Sequence, residues 1–240
     1  MVHEQFSRTA ALLGEESVVR LMKARVAVFG IGGVGGHVCE ALARSGVGAL
    51  DLFDRDTVSV SNLNRQIIAL HSTVGRPKVE VMRERILDIN PRAEVGAYEL
   101  FYLPENADTV DLSQYDYIAD CIDTVSAKVE LICRAKKAGV PIISAMGAGN
   151  KLDPSRFTVT DLAKTEGCPL ARVMRQTLRR HGIVHLPVVF SPEPPASIQT
   201  SLSEDGVRRS VPASVAFVPA AAGLVMAGEI IRNLAEGSEK

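Results

Sequence analysis

Acidic, amide and basic side chains follow one another in the first third of the chain. They are Asp54, Asp56, Asn62, Arg65 and Lys78. Arginine can hold phosphate oxygens in a bidentate fork, and lysine acts as a compact positive charge. Any one of these side chains alone is equally typical of a solvated charge or a surface ion pair. In this order, they predict a site for a triphosphate and a departing pyrophosphate.

Four glycines precede these residues: Gly30, Gly32, Gly33 and Gly35. They follow residues 25–29, which alternate β-branched and apolar side chains, and lead into residues 34–45, which carry apolar side chains at helical spacing. Glycines expose backbone N–H groups and a helix N-terminus adds partial positive charge, so the turn predicts a phosphate cradle. Asp54 follows the next strand, where an acid accepts the ribose hydroxyls of a nucleotide. The same pattern is typical of dehydrogenases, and of turns that only let a helix pack closely on a strand.

A further acid follows a later strand. Residues 117–122 form an apolar segment, and Asp123 comes directly after it. Open α/β sheets bind ligands at the carboxyl ends of their parallel strands. Asp123 is therefore expected to hold magnesium at this edge or to act as a catalytic acid.

Strand and helix patterns alternate as far as residue 146, which is typical of an α/β fold with a doubly wound, mainly parallel, Rossmann-like sheet. Mixed strands follow from residue 157, and residues 219–234 predict a terminal packed helix. A polar, aperiodic stretch over residues 191–209 predicts a mobile loop or lid. The chain is expected to form one domain. Its expected parts are a helical segment at 1–24, a nucleotide-binding core at 25–146 and a substrate-side extension at 147–240.

Cysteine usage and charge limit the classes of function. Cys39, Cys121, Cys133 and Cys168 form no CxxC pair, so we expect no structural zinc. Cys168 differs because it lies in a polar turn before a helix, where a thiolate can be stabilised, so it is a candidate nucleophile as well as a packing residue. A net charge of −1 excludes a generally basic nucleic-acid binder. Reduced cysteines and an N-terminus unlike a secretion signal predict a cytoplasmic protein with no membrane association.

One predicted helix, over residues 170–181, carries a basic stripe. Arg172, Arg175 and Arg179 recur there at i, i+3 and i+7. Such a stripe can meet nucleic-acid phosphates. It is equally typical of a solvated helix face, because arginine is a good helix former. These three arginines are the candidates for RNA binding.

The motifs taken together resemble a known family. The string DxDxVxxSNxxRQ spans residues 54–66, GxGGxG precedes it at 30–35, and Lys78 and a CxD at 121–123 follow. This set is similar to the ThiF/MoeB superfamily, adenylating enzymes that are related to ubiquitin-activating enzymes. Within it, three further segments resemble the branch that dehydrates threonylcarbamoyladenosine in tRNA: residues 6–16, 156–183 and 188–195. The resemblance covers most of the chain.

The resemblance implies adenylation of a carboxylate with ATP and Mg²⁺. By motif position, Asp54 would accept the ribose hydroxyls and Asp123 would supply the metal ligand or catalytic acid. The remaining ATP contacts implied are the four glycines, Asp56, Asn62, Arg65 and Lys78, of which the last three meet the phosphates and the pyrophosphate. Arg8 matches an arginine that reaches the partner subunit's ATP in relatives, which implies a homodimer.

The leading interpretation is ATP-dependent dehydration of threonylcarbamoyladenosine in tRNA, a cyclisation through an acyl adenylate of its threonyl carboxylate. The partner is then tRNA, with sulfur-transfer proteins as further candidates. The alternative is adenylation of the C-terminal glycine of a sulfur-carrier or ubiquitin-like protein, against which the missing CxxC pairs and the arginine stripe weigh. A third interpretation is NAD-dependent oxidoreduction that uses the glycine turn alone.

Overall fold

Seven strands form one sheet in the computed structural model, which describes residues 3–197 and 212–237. The strands are β1 (Arg25–Phe29), β2 (Ala49–Phe53), β3 (Glu94–Tyr98), β4 (Tyr117–Asp120), β5 (Ile142–Ala145), β6 (Thr158–Asp161) and β7 (Pro187–Phe190). Their order across the sheet is β3-β2-β1-β4-β5-β7-β6. The β6–β7 pair is antiparallel, and the other neighbours are parallel.

Seven α-helices accompany the sheet within the described ranges. They are α1 (Ser7–Leu13), α2 (Glu15–Lys23), α3 (Gly35–Arg44), α4 (Lys78–Ile89), α5 (Val125–Ala138), α6 (Pro169–Arg180) and α7 (Phe217–Glu236). α5 ends at Gly139, whose φ of 70° is left-handed and favours glycine. The helices cover both faces of the sheet, and β1, β2, β4, β5 and β7 are accordingly buried over almost their whole length.

The two faces of the sheet bury separate sets of side chains, because successive residues of a strand point to opposite sides. Val26 and Val28 of β1 join a cluster that includes residues of α3, α4 and α7. Ala27 and Phe29 join the opposite cluster, which includes residues of α5 and α6. The sheet is therefore held between two helical layers, as a doubly wound fold requires.

The strand order reverses at β1, which lies between β2 and β4. Phe29 at the end of β1 is in register with Phe53 of β2 and with Asp120 of β4. The loops that follow these three strands therefore leave the sheet at the same edge. In open α/β sheets, the crevice at such a switch point is the usual ligand site.

α7 is long and apolar enough to cross a membrane by length and composition. Val218, Ala222, Met226 and Ile230 on one side of it are buried in the core. A Cβ on Gly223 would lie 2.5 Å from the carbonyl oxygen of Val34, so this glycine lets α7 approach the start of α3. This packing matches the terminal helix predicted from the sequence.

The predicted fold class is confirmed, with differences at strand ends. The apolar segment 117–122 leaves the sheet at Asp120, because Cys121 and Ile122 bend away into the loop before α5. The segment 184–190 enters the sheet at Pro187, where pairing with Asp161 begins. Residues 198–209 of the predicted loop lie outside the described ranges.

Candidate functional site

The glycine turn joins β1 to α3 at the switch point. Gly30 has a φ of 89°, and its N–H donates to the carbonyl of Phe53 at 2.8 Å. A Cβ on Gly30 would lie 2.7 Å from the carbonyl oxygen of Cys121, and one on Gly35 would lie 1.8 Å from the carbonyl oxygen of Gly30. Both glycines are therefore required by backbone packing of the turn itself.

The other two glycines of the motif have different surroundings. A Cβ on Gly33 would lie 3.1 Å from Pro219 of α7 and 3.7 Å from Cγ of Arg65. Among residues 3–197 and 212–237, a Cβ on Gly32 would come within 4 Å of Nε2 of Gln66 alone, at 3.9 Å. Protein packing therefore does not demand a glycine at position 32, whereas a phosphate that approaches the backbone closely would. The N-terminus of α3 follows directly and favours an anion there.

Asp54 stands at the carboxyl end of β2, beside the turn. Its Oδ2 accepts from the N–H of Ile31 at 2.7 Å, and its Oδ1 accepts from the N–H of Asp56 at 2.8 Å. Burial raises the pKa of the Asp54 carboxyl above its ordinary value and outweighs the opposite effects of Lys78 and the two backbone donors. Asp54 therefore joins the glycine turn to the segment after β2.

Lys78 is the first residue of α4, and its side chain is only 7% exposed. Its Nζ lies 2.9 Å from Oδ2 of Asp56. The backbone N–H of Lys78 also donates to the carbonyl of Asp56 at 2.9 Å, and Thr57 pairs with Pro77 in an isolated bridge. These contacts hold a buried ammonium group whose charge partly offsets the rise in the pKa of the Asp54 carboxyl that burial causes.

Asn62 and Arg65 lie on the segment between β2 and α4. Asn62 is buried, and its Oδ1 accepts from the N–H of Ser59 at 3.1 Å. The guanidinium of Arg65 donates to the carbonyl of Ser61 and to Oδ1 of Asn64, both at 2.9 Å. The Cγ of Arg65 would lie 3.7 Å from a Cβ on Gly33, so the stem of this side chain lies beside the glycine turn.

Asp123 is exposed in the loop between β4 and α5. The sequence placed it at the end of a strand, whereas β4 ends three residues earlier, at Asp120. The loop still touches the glycine turn, because Gly30 packs on the carbonyl of Cys121. Oδ1 of Asp123 accepts from Oγ1 of Thr124 at 3.3 Å. Its carboxylate is therefore accessible at the predicted edge.

Three polar residues at this edge were not singled out from the sequence. Asp120 and Lys128 are fully buried and form an ion pair of 2.9 Å. Gln66 is 7% exposed, and its Oε1 is a buried atom that has no hydrogen-bond partner in the described ranges. A buried acceptor without a partner fits a ligand that carries a donor group, such as a ribose hydroxyl or an adenine amine. The signal for Asp120 was an acid inside an otherwise apolar strand.

The basic stripe on α6 is smaller than predicted. Arg172 and Arg179 are exposed, but Arg175 is half-buried. The guanidinium of Arg175 donates to the carbonyl of Thr165 at 2.6 Å and to the hydroxyl of the same residue. Arg175 therefore binds the turn before α6, whereas Arg172 and Arg179 are exposed, and RNA binding by the three arginines stays a prediction.

Cys168 and Arg8 lie outside the glycine turn and outside the segment from Asp54 to Lys78. Cys168 directly precedes α6, is 4% exposed and belongs to an apolar cluster with Ala171 and Met174. Arg8 is exposed on α1, a helix that buries none of its own residues. These positions do not test whether Cys168 is a nucleophile or whether Arg8 reaches the ATP of a partner subunit, so both stay predictions.

Metal-binding side chains do not gather in residues 3–197 and 212–237. No group of three or more His, Cys, Asp or Glu residues there has a geometry that could hold a metal ion. A single carboxylate such as Asp123 can share an ion with phosphate oxygens, which is the usual way in which Mg²⁺ binds beside nucleotides. The residues present therefore fit Mg²⁺ that arrives with ATP.

Known proteins match the chain over its full length. The tRNA threonylcarbamoyladenosine dehydratase of Bacillus subtilis (strain 168) is 44% identical over 248 residues, which span 100% of this chain and 97% of that protein. A crystal structure of the E. coli tRNA N6-threonylcarbamoyladenosine dehydratase in complex with ATP superposes with a TM-score of 0.84. It is 36% identical, and the match covers 96% of this chain and 93% of that one.

A more distant relative matches less of the chain. The molybdopterin-synthase adenylyltransferase of Salmonella typhimurium (strain LT2) is 39% identical over 148 residues, which span 62% of this chain and 58% of that protein. The description "ThiF family" fits residues 6–240. This range includes the glycine turn, the segment from Asp54 to Lys78, and α7. The resemblance seen in the motifs is thus confirmed, and the chain belongs to the ThiF family.

Proposed function

We propose that this chain catalyses the ATP-dependent dehydration of threonylcarbamoyladenosine in tRNA. One observation carries the proposal. The glycine turn, Asp54, Arg65 and Lys78 converge at one edge of the sheet, in a chain that is similar over its whole length to a tRNA threonylcarbamoyladenosine dehydratase. Two cations beside a phosphate cradle suit a triphosphate better than a dinucleotide.

The reaction begins with a carboxylate, which is a poor electrophile. An oxygen of the threonyl carboxylate attacks the α-phosphorus of ATP, the bond from that phosphorus to the bridging oxygen breaks, and pyrophosphate leaves. The neighbouring ureido group then attacks the acyl carbon, and AMP departs with the former carboxylate oxygen. The ring that closes has lost the elements of water. Positioning and charge neutralisation supply most of the acceleration, so no nucleophile from the protein is required.

Each residue at the edge has a role in this scheme. The backbone N–H groups of the glycine turn bind phosphate oxygens, and Asp54 accepts the ribose hydroxyls while it holds Ile31 in place. Arg65 and Lys78, with the amide of Asn62, neutralise the departing pyrophosphate. Asp56 holds Lys78 until phosphate oxygens replace its carboxylate. Asp123 would hold Mg²⁺ that arrives with ATP, and the ion would supply positive charge to the phosphates.

The tRNA is proposed to meet the exposed side of α6. Arg172 and Arg179 lie on one face of that helix, two turns apart, and Arg180 is exposed beside them. Phosphate contacts of this kind contribute salt-dependent affinity without reading sequence. Charge reversal at Arg172 and Arg179 should weaken tRNA binding and flatten its dependence on salt. The same change at Arg175 should instead lower stability, because that side chain binds Thr165.

A homodimer is part of the proposal. Phe217, Ala221, Leu224 and Gly228 recur at i, i+4, i+7 and i+11 along α7, and Phe217 and Leu224 are 51% and 53% exposed. Leu12 on α1 is 85% exposed. Apolar stripes of this length usually meet another protein surface. A second copy of this chain would cover them and bring Arg8 towards a neighbouring site.

The location and the further partners follow from the same proposal. Such an enzyme would act in the cytoplasm, where tRNA and ATP are both abundant. Sulfur-transfer proteins are candidate partners by resemblance to the superfamily. Adenylation of a sulfur carrier would use the same ATP site, but its relative matches less of this chain than the dehydratase does.

The test measures pyrophosphate release from ATP when tRNA that carries threonylcarbamoyladenosine is added. Release with this tRNA, and none with a sulfur-carrier protein, is the expected result. Arg65→Ala and Asp123→Ala should abolish release and leave the melting temperature unchanged, because both side chains make few contacts with the fold. Arg83→Ala on α4, whose side chain is 46% exposed, is the matched control. Full turnover by either site variant would remove that residue from the site.

A further inference from the structure

The residue before Asp123 is held at both of its backbone polar groups. The N–H of Ile122 donates to Oδ1 of Asp120 at 3.2 Å, and its carbonyl accepts from Nζ of Lys128 at 3.1 Å. Nζ of Lys128 lies 2.9 Å from Oδ2 of Asp120. One ion pair therefore binds the donor and the acceptor of a single loop residue.

This ion pair is closed off from water and anchored on three elements. The side chains of Asp120 and Lys128 are both 0% exposed. Asp120 ends β4, Lys128 lies on the first turn of α5, and the hydroxyl of Ser144 on β5 donates to Oδ2 of Asp120 at 2.6 Å. The carboxylate thus has a partner on each of its oxygens, as a buried charge requires.

Stability alone does not explain a fully buried ion pair. The desolvation of two charges costs about as much as their attraction returns, and well-packed apolar residues of similar volume are often more stabilising. The pair instead fixes a backbone conformation, because hydrogen bonds to charged groups hold the backbone groups that they bind in one geometry. Here the fixed backbone is the loop between β4 and α5.

The same loop is bound to the glycine turn from its other side. The N–H of Cys121 donates to the carbonyl of Phe29 at 2.8 Å, and Gly30 packs on the carbonyl of Cys121. The loop is therefore fixed to the phosphate cradle through Cys121 and to the ion pair through Ile122. Asp123 follows directly, and its own side chain contacts little except Thr124.

We propose that Asp120 and Lys128 are positioning residues that hold the carboxylate of Asp123 towards the phosphates of ATP. The proposal rests on the role given above to Asp123. The pair acts through the backbone of Ile122 and does not itself touch ATP or tRNA. A displacement of about 1 Å in such a group can lower a rate by about 100-fold.

The test replaces both charges together, as Asp120→Asn with Lys128→Met. Lys128→Met alone would leave a buried carboxylate without its counter-ion and endanger folding. The double variant keeps an acceptor for the N–H of Ile122 and removes the donor to its carbonyl. The matched control is Arg25→Met with Asp51→Asn. That pair lies 2.8 Å apart at the other end of the same sheet, and its Asp51 side chain is 1% exposed.

The measurements are the melting temperature, KM for ATP and kcat for pyrophosphate release with tRNA. Both double variants should melt at lower temperature than the wild type. The Asp120/Lys128 variant should lose about 100-fold in kcat with KM for ATP within about twofold, and the Arg25/Asp51 control should keep its kcat. Ser144→Ala removes one hydrogen bond to Asp120 and keeps the ion pair, so its kcat should fall by about tenfold. It is the test variant if the double variant does not fold.

The outcomes separate this inference from the proposed function. A wild-type kcat in the Asp120/Lys128 variant would overturn the positioning role, while an inactive Asp123→Ala would still support the proposed site. If the double variant does not fold, a wild-type kcat in Ser144→Ala would overturn the positioning role in the same way. Full turnover by Asp123→Ala would overturn both the role of Asp123 and the inference. An equal loss of kcat in the Arg25/Asp51 control would also overturn the inference, because a general loss of stability would then explain the effect.

Discussion

Gly32 is the position in the glycine turn where the fold and the nucleotide make different demands. In the part of the chain that the structure describes, the nearest atom to a Cβ there would be Nε2 of Gln66, at 3.9 Å, and the φ of Gly32 is not left-handed. Gly32→Val should therefore change the free energy of unfolding by no more than about 0.5 kcal/mol, as is usual where no specific contact is lost. In a chain of this length, that is a change in melting temperature of about 2 °C or less.

The same substitution should have a large effect on ATP. Two methyl groups would occupy the space that a phosphate needs to reach the backbone N–H groups of the turn. A hydrogen bond to a charged group contributes about 1.5–3 kcal/mol. The loss of one such bond lowers the affinity for ATP by roughly ten- to a hundredfold.

Isothermal titration with ATP and thermal unfolding of the apoprotein measure the two effects separately. Gly35→Ala is the contrasting variant, because its Cβ would lie 1.8 Å from the carbonyl oxygen of Gly30. We expect it to cost more than about 3 kcal/mol, beyond ordinary overpacking, since backbone must move. If Gly32→Val bound ATP with the affinity of the wild type, the phosphates would lie elsewhere and the proposed cradle would be refuted.

Three further variants probe the site, the fold and the assembly. Lys78→Met keeps the buried stem and removes the charge, so pyrophosphate release should fall by about 100- to 1000-fold at saturating ATP, and an unchanged rate would contradict its role. Burial opposes the ionisation of Glu40, but hydrogen bonds from two arginines outweigh it and lower the pKa. Above pH 4.5, the ordinary pKa of glutamate, the ionised Glu40 stabilises the fold, and this stabilisation is lost as the pH falls through the lowered pKa. Glu40→Gln should therefore weaken the dependence of the free energy of unfolding on pH in the acid range. An unchanged dependence would contradict this prediction. Leu224→Asp should sediment as a monomer, whereas Val184→Asp, a change at another surface position, should not. A dimer that persists in Leu224→Asp would show that the interface is not on α7.

Local patterns were enough to predict the elements that carry the site. The glycine turn and its flanking strand and helix depend on backbone rules that act over a few residues, so 25–45 could be predicted closely. The doubly wound, mainly parallel sheet followed from the alternation of strands and helices, because right-handed crossovers leave few topologies. Asp54 and Lys78 were singled out because their types and their order suit a nucleotide, and both lie at the carboxyl edge of the sheet, although their roles stay predictions.

Other parts of the site depend on contacts between segments that are distant in sequence. Arg175 shares its helix spacing with Arg172 and Arg179, and only the position of the turn at Thr165 decides that it is bound. The partnership of Lys128 with Asp120 requires the exact path of the loop between β4 and α5. Periodicity shows which face of a helix is apolar, but it does not show which charge will be buried opposite it.

The cations of the site are already bonded within the protein, and this bears on how ATP would enter. Lys78 is paired with Asp56, and Arg65 donates to Ser61 and Asn64. Phosphate oxygens must replace these partners, so binding exchanges one set of hydrogen bonds for another and gains less than the contacts alone would suggest. The exchange also works in reverse, because the Asp56 carboxylate, which is 57% exposed, can take back Lys78 as pyrophosphate departs. A cation that is shared in this way favours product release over tight retention of the ligand.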